Sequence, residues 1–139
     1  MAAAPSSLTF INPPGLYDPR PNGYSHVAVA SPCTRMVYVS GQGGEDASGA
    51  LPAEFAAQVQ QALANLVTAL HAAQAQPRDV AKLTVLVVDH SEARLGVFSQ
   101  ALGALWGKAP PPACTLIPVP RLALDGMLIE IEATAVLSA

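Results

Sequence analysis

Between Ala53 and Ala75 apolar residues recur at spacings of three and four. Phe55, Val59, Ala62, Leu63, Leu66, Val67 and Leu70 fall on one helical face. Gln58, Gln61, Asn65 and Thr68 fall on the other faces, and Pro77 stops the run. A second amphipathic face follows in Leu95, Phe98, Leu102, Leu105 and Trp106. Ser91 reads as its N-cap, with Glu92 in the first turn where the helix dipole favours an acid. The prolines at 110 to 112 end this helix.

The remaining apolar runs follow strand periods. Ser7 to Asn12 reads as a short first strand, Ser25 to Ala30 as a second and Arg35 to Ser40 as a third, the last two pairing as a hairpin across SPCT. VAKLTVLVVD (Val80 to Asp89) is a strand that is apolar on both faces from Leu83 onward. Cys114 to Val119 and Met127 to Leu137 are the last strands, joined by PRLALDG. In the final strand Ile129, Ile131, Ala133 and Ala135 point one way; Leu128, Glu130, Glu132, Thr134 and Val136 point the other. The first set suits a face covered by helices.

The order β-β-β, α, β, α, β-β predicts an α+β fold with both helices on one face of the sheet. At 139 residues it fits a single domain, 1–139, without internal repeats. Hydrophobic residues make up 51% of the chain and charged residues only 12%, sparse for a free-standing surface. The second sheet face mixes carboxylates with apolar side chains and cannot all face solvent. Packing it against copies of the same chain resolves both points and predicts a closed homo-oligomer.

Charge excludes one class of function. Seven Lys and Arg residues oppose ten Asp and Glu, for a net −3. The basic residues are scattered and aromatic residues do not interleave with them, so a nucleic-acid footprint is not expected. The N-terminus lacks a basic leader, and no apolar run approaches the ~20 residues of a membrane span. Two cysteines, Cys33 and Cys114, are too few for a disulfide framework. The expectation is a cytoplasmic protein with reduced thiols and no membrane partner.

The candidate chemistry is thin. His26, His71, His90 and the two cysteines show no metal-ligand spacing, so no metal is expected; His71 suits the C-terminal dipole of its helix. The run GQGGEDASG is neither a dinucleotide fingerprint nor a phosphate loop. It reads as flexible loop, although backbone N–H groups at Ser40 and Gly41 lie at a sheet rim where they can hold a carbonyl or carboxylate. Glu130 and Glu132 sit on one strand face, about 7 Å apart by strand rise. Spacing alone leaves open whether one positions a water or both are solvated. Cys114, at a strand mouth after three prolines, reads as a small apolar residue lining a pocket or core. A reactive thiol would need a neighbouring base or cation that the sequence does not supply.

Four stretches together resemble the RidA/YjgF family of reactive-intermediate deaminases: VYVSGQ, AEFAAQVQQALANLVTALHAA, VAKLTVLVVD and PPACTLIPVPRLALDGMLIEIEA. They occur in the right order and cover nearly the whole chain from about Tyr24 onward. The resemblance implies a chorismate-mutase-like sheet, a homotrimer with ligand clefts between subunits, no cofactor, and hydrolysis of imines and enamines to a carbonyl and ammonia. It implies substrate-binding roles for Tyr24, Ser40 and Gly41, and a catalytic one for Glu130, which would position water. One position departs from the pattern. Where the family has an arginine that grips the substrate carboxylate, this chain has Cys114. Two residues on, Leu116 replaces a cysteine found in some members, and an asparagine of the second helix is Val97 here. Arg121 belongs to a loop that recurs beside the usual arginine, so it is not read as a substitute.

A thiol has neither the charge nor the fork of a guanidinium. Charge-assisted bonds lost there are worth about 1.5–3 kcal/mol each. The expectation is a pocket lined by Tyr24, Ser40, Gly41, Cys114, Leu116 and Glu130 that takes a small ligand depending less on a carboxylate. A non-catalytic binding or stress-response protein on the same scaffold is the alternative. A ribonuclease or translation inhibitor is disfavoured by charge.

Overall fold

The computed structural model describes residues 8–32 and 35–138. Six strands and two long helices follow one another as β1 (Leu8–Ile11), β2 (Val27–Ala30), β3 (Arg35–Gln42), α1 (Phe55–Ala72), β4 (Val80–Val88), α2 (Glu92–Trp106), β5 (Ala113–Val119) and β6 (Ile129–Leu137). The expected start of the first strand at Ser7 and the turn residues Cys33 and Thr34 lie outside the described residues.

The main sheet has the order β3-β6-β4-β5. β6 runs antiparallel to both β3 and β4, and β4 is parallel to β5. The last strand is therefore internal, which explains its pattern. Ile129, Ile131 and Ala135 have no exposed surface and Ala133 has almost none. They face the helices together with Leu83, Val85 and Val87 of β4. The helices thus cover one face, as the sequence predicts. β5 is an edge strand of this sheet, the position that tolerates Pro118, which has no N–H to give a ladder.

α2 begins as expected: the Arg94 N–H donates to the Ser91 hydroxyl at 3.1 Å. In α1 one polar position differs from its sequence reading. Gln58 points inward and is fully buried. Its amide donates to the carbonyls of Pro52 at 2.7 Å and Gly126 at 2.9 Å, and its carbonyl accepts from Leu128 N–H at 2.8 Å. Three backbone groups from two loops end on one side chain, which removes the cost of burying it. Asn65 likewise donates to the Gly43 and Glu45 carbonyls. The glycine-rich loop after β3 is thereby fastened to α1. Gly44 is part of this seat, since a Cβ there would lie 2.7 Å from the Gln58 Cβ.

The expected hairpin of β2 with β3 does not form. β2 pairs with β1 in a separate two-stranded sheet, Leu8 opposite Ala30 and Ile11 opposite Val27. Ser25 explains why. Its N–H donates to the Pro112 carbonyl at 2.9 Å and its hydroxyl to the Pro111 carbonyl, and it bridges to Ala113 at the start of β5. The chain leaving Ser25 therefore starts at the β5 edge, whereas β3 lies at the opposite edge. Three strand spacings, about 14 Å, separate the two, so consecutive strands are not neighbours.

Candidate functional site

The open face of the sheet carries the acid. Register places Glu130 opposite Leu86 and Glu132 opposite Thr84, all on the face away from the helices. β3 carries a bulge here: Val39 pairs with Ala133 but Gln42 with Ile131, so Ser40 and Gly41 fall out of the pairing register. The bulge brings Gly41 against the acid. A Cβ built on Gly41 would lie 1.8 Å from Glu130 Oε1, so only glycine leaves room for that carboxylate. Gly41, Thr84, Leu86, Glu130 and Glu132 enclose a cavity of about 220 Å³. Glu130 is half-buried and has no hydrogen-bond or ion-pair partner among the described residues. Ser40 stands beside this cavity, exposed, and its carbonyl accepts from the Gln42 amide at 3.1 Å.

Cys114 and Leu116 are elsewhere. They pair with Leu83 and Val85 and so face the helix side of the sheet. They line a second cavity, of about 230 Å³, with Tyr17, Asn22, Tyr24 and Ser99. Leu95, Phe98 and Leu102 of α2 supply its apolar wall. The segment carrying Tyr24 is held against α2 by a 3-10 turn, Arg20–Asn22, that closes at Gly23 with φ 82°. A Cβ on Gly23 would also come within 3.3 Å of the Ser99 carbonyl. Tyr17, Tyr24 and His26 pack edge to face, with ring centres 5.0 to 6.4 Å apart, and His26 Nε2 meets the Tyr17 carbonyl at 2.8 Å.

Electrostatics separate the two cavities. Among the described residues no cation lines the Cys114 cavity. Burial pushes the Cys114 thiol up to about 11, and the Lys82 ammonium pulls the other way more weakly. The arginines at the other end of β4 and β5 are engaged elsewhere. Arg121 pairs with Asp125 at 2.9 Å. Arg94 donates to the Val88 carbonyl at 2.6 Å and lies over the Phe55 ring. Val97 is partly exposed on α2 and does not line the cavity. Among the described residues no three His, Cys, Asp or Glu side chains come together as a metal set.

Of the expected site residues, Tyr24, Cys114 and Leu116 share one cavity and Gly41 and Glu130 another. Within one chain the two groups open on opposite faces of the sheet. Sequence reading missed Tyr17, Asn22 and Ser99. The first two lie in a proline-rich loop without periodicity, and Ser99 is a polar residue beside the apolar stripe of α2. Ser99 Oγ is buried and meets no partner among the described residues.

The fold and sequence match known proteins. Residues 18–137 match the family described as endoribonuclease L-PSP. A protein of unknown function of the conserved Rid protein family, YyfB from Yersinia pestis, is 41% identical, with a TM-score of 0.90 over 94% of this chain and 99% of that one. The YjgF gene product of E. coli is 31% identical, with a TM-score of 0.66 over 74% of this chain and 81% of that one. E. coli TdcF, solved with bound serine, is 27% identical, with a TM-score of 0.68 over 74% of this chain and 81% of that one. No curated protein matches. No helix among the described residues is long and apolar enough to cross a membrane. With a family match spanning most of its length and this agreement in fold, the chain belongs to the Rid/YjgF family, the endoribonuclease L-PSP group.

Proposed function

We propose that this protein hydrolyses imines or enamines of small, uncharged, largely apolar compounds. The cleft is completed when copies associate, in a homotrimer as the family resemblance implies, so that the Cys114 cavity of one copy meets the Glu130 face of the next. The observation that carries the reading is the division of the site. Cys114 and Glu130 belong to cavities on opposite faces of one sheet, each holding only part of the expected set of site residues. The open face also exposes Met36, Tyr38 and Ile117, apolar surface that association would cover.

Glu130 supplies the base. It takes a proton from water as the water oxygen bonds to the imine carbon and the C=N electron pair moves to nitrogen. It returns that proton to nitrogen to give the carbinolamine, then takes the carbinolamine O–H proton and delivers it to nitrogen as the C=O bond forms and the C–N bond breaks, leaving a carbonyl and ammonia. The rest of the substrate lies in the Cys114 cavity. A carboxylate there would find no counter-charge, whereas an apolar group meets Phe98, Leu102 and Leu116.

A coupled assay tests this. An amine oxidase acting on a neutral amine, and an amino-acid oxidase, generate the two kinds of imine in place. The native protein is expected to accelerate hydrolysis of the neutral imine and to leave 2-imino acids nearly untouched. Cys114→Arg is expected to gain the acids by about ten- to a hundredfold. Hydrolysis of 2-imino acids by the native chain at the rate of an arginine-bearing relative would sink the reading. The lack of a charged anchor also suits a second reading, a binding protein without turnover; ligand-induced thermal stabilisation with no hydrolysis of either imine would select it. Ribonuclease activity is opposed by the net −3 charge and dispersed Lys and Arg.

A further inference from the structure

A third cavity, of about 450 Å³, lies between the N-terminal segment and the end of α2, and Leu102 belongs to its wall as well as to that of the Cys114 cavity. Phe10, Asn12, Arg20, Trp106, Lys108 and Pro110 line it. Two backbone acceptors beside it are already used: the carbonyls of Pro111 and Pro112 receive the hydroxyl and N–H of Ser25. The polar side chains that remain are donors. Lys108 has no anionic partner among the described residues. Arg20 spends Nε and Nη2 on Asp18, which leaves Nη1. The Asn12 side-chain carbonyl accepts from the His26 N–H, which leaves its NH₂ group. Trp106 is 6% exposed, and its indole N–H is buried with no acceptor among the described residues. A buried donor without a partner is uncommon enough to require an account.

Among the described residues no carboxylate lines this cavity, although the chain as a whole carries a net −3. A set of donors, with the unpaired Lys108 ammonium and the Arg20 guanidinium that Asp18 already balances, beside Phe10, Leu102 and the Trp106 ring fits one kind of molecule. We infer that this cavity is a second binding site, for a small organic carboxylate with an aromatic or branched apolar body. The carboxylate lies at the Lys108 and Arg20 end. The body packs on Phe10 and Leu102, and a turn of the Trp106 ring brings its N–H, shut off from the cavity in this structure, to an acceptor of the ligand. The inference does not rest on imine hydrolysis, since it uses neither Glu130 nor Cys114.

Trp106 is the only tryptophan of the chain, so its emission reports the cavity directly. Phenylacetate is the probe, with phenylacetamide as its neutral match, in buffers free of organic acids. A saturable change of Trp106 emission is expected with phenylacetate below about 10 mM, and a clearly weaker response with the amide. Lys108→Gln, a surface change, is expected to weaken the acid by about two- to fivefold and leave the amide unchanged. Trp106→Phe, followed by calorimetry, is expected to weaken it by about fivefold. Leu116→Phe, which narrows the other cavity without adding a cation, leaves phenylacetate binding as it was. Equal responses to acid and amide, no saturation, or indifference to Lys108→Gln would each overturn the assignment and leave the indole N–H to water alone.

Discussion

Glu130 lies over Gly41 so closely that a Cβ at position 41 would sit 1.8 Å from Oε1. Gly41→Ala therefore displaces the carboxylate while touching little of the core, since the added methyl meets the acid rather than the helix face. Misplacing a catalytic group by about 1 Å costs on the order of a hundredfold. The expected outcome is a fall of that size in kcat/KM for the neutral imine, with a circular dichroism spectrum like that of the native protein. Glu130→Gln should fall at least as far. A Gly41→Ala protein of native activity would remove Glu130 from the chemistry or show that its position is not critical.

Cys114 predicts its own pH dependence. With the thiol held up to about 11 by burial, roughly one molecule in ten thousand carries the thiolate at pH 7. In a Cys33→Ser background, alkylation by iodoacetamide is expected to be about a hundredfold slower than for a free thiol near neutrality. The rate should climb about tenfold per pH unit toward 11. The folded chain holds this proton more tightly than the unfolded one. Its contribution to stability is therefore complete below the ordinary value of 9.0 and lost as pH rises from there through about 11. Urea unfolding of the native protein and of Cys114→Ala should diverge over that window, the native losing about 2–3 kcal/mol more. Rapid alkylation at neutral pH would reverse this account and revive a thiol nucleophile.

Gln58 is expected to be a stability residue rather than a catalytic one. It is fully buried and makes three hydrogen bonds, to Pro52, Gly126 and Leu128. Gln58→Ala leaves those backbone groups unpaired beside a void, and about 2–5 kcal/mol of destabilisation follows. Gln100→Ala, on the exposed side of α2, should change stability by less than about 0.5 kcal/mol. Urea midpoints of the two variants check the contrast; equal midpoints would mean that the loops are held by something other than this amide.

Periodicity carried the sequence reading wherever one face of an element was apolar. The alternation Ile129, Ile131, Ala133, Ala135 and the stripe along α1 needed no structure to be read. Gln58 escaped because an inward amide looks like a surface residue until Pro52, Gly126 and Leu128 are brought to it. The hairpin was misread because local alternation cannot say which edge a strand joins, and Ser25 bonds to Pro111 and Pro112, far along the chain. Cys114 was legible as an apolar residue of a pocket. Its separation from Glu130 was not, because it follows from the register of β5 and β6 on either side of β4. Tyr17 and Ser99 belong to no pattern at all and are joined to the site only by the packing of the N-terminal segment on α2.

That separation gives the most direct test of a shared cleft. Leu116→Arg fills the Cys114 cavity and leaves Glu130 intact; Glu130→Gln does the reverse. Each variant alone is expected to be inactive toward the neutral imine. Co-expressed in equal amounts and assembled at random, some clefts pair the intact cavity of one copy with the intact acid of its neighbour. For a closed ring in which every cleft draws one half from each of two copies, about a quarter of the clefts are whole. Activity near a quarter of native is therefore expected from the mixed assembly, and none from the two variants purified apart and mixed without subunit exchange. If each chain built its own site, every copy in the mixture would carry a broken one, and co-expression would restore nothing. A monomer by ultracentrifugation would overturn the shared cleft by another route, since Cys114 and Glu130 would then have no way to meet.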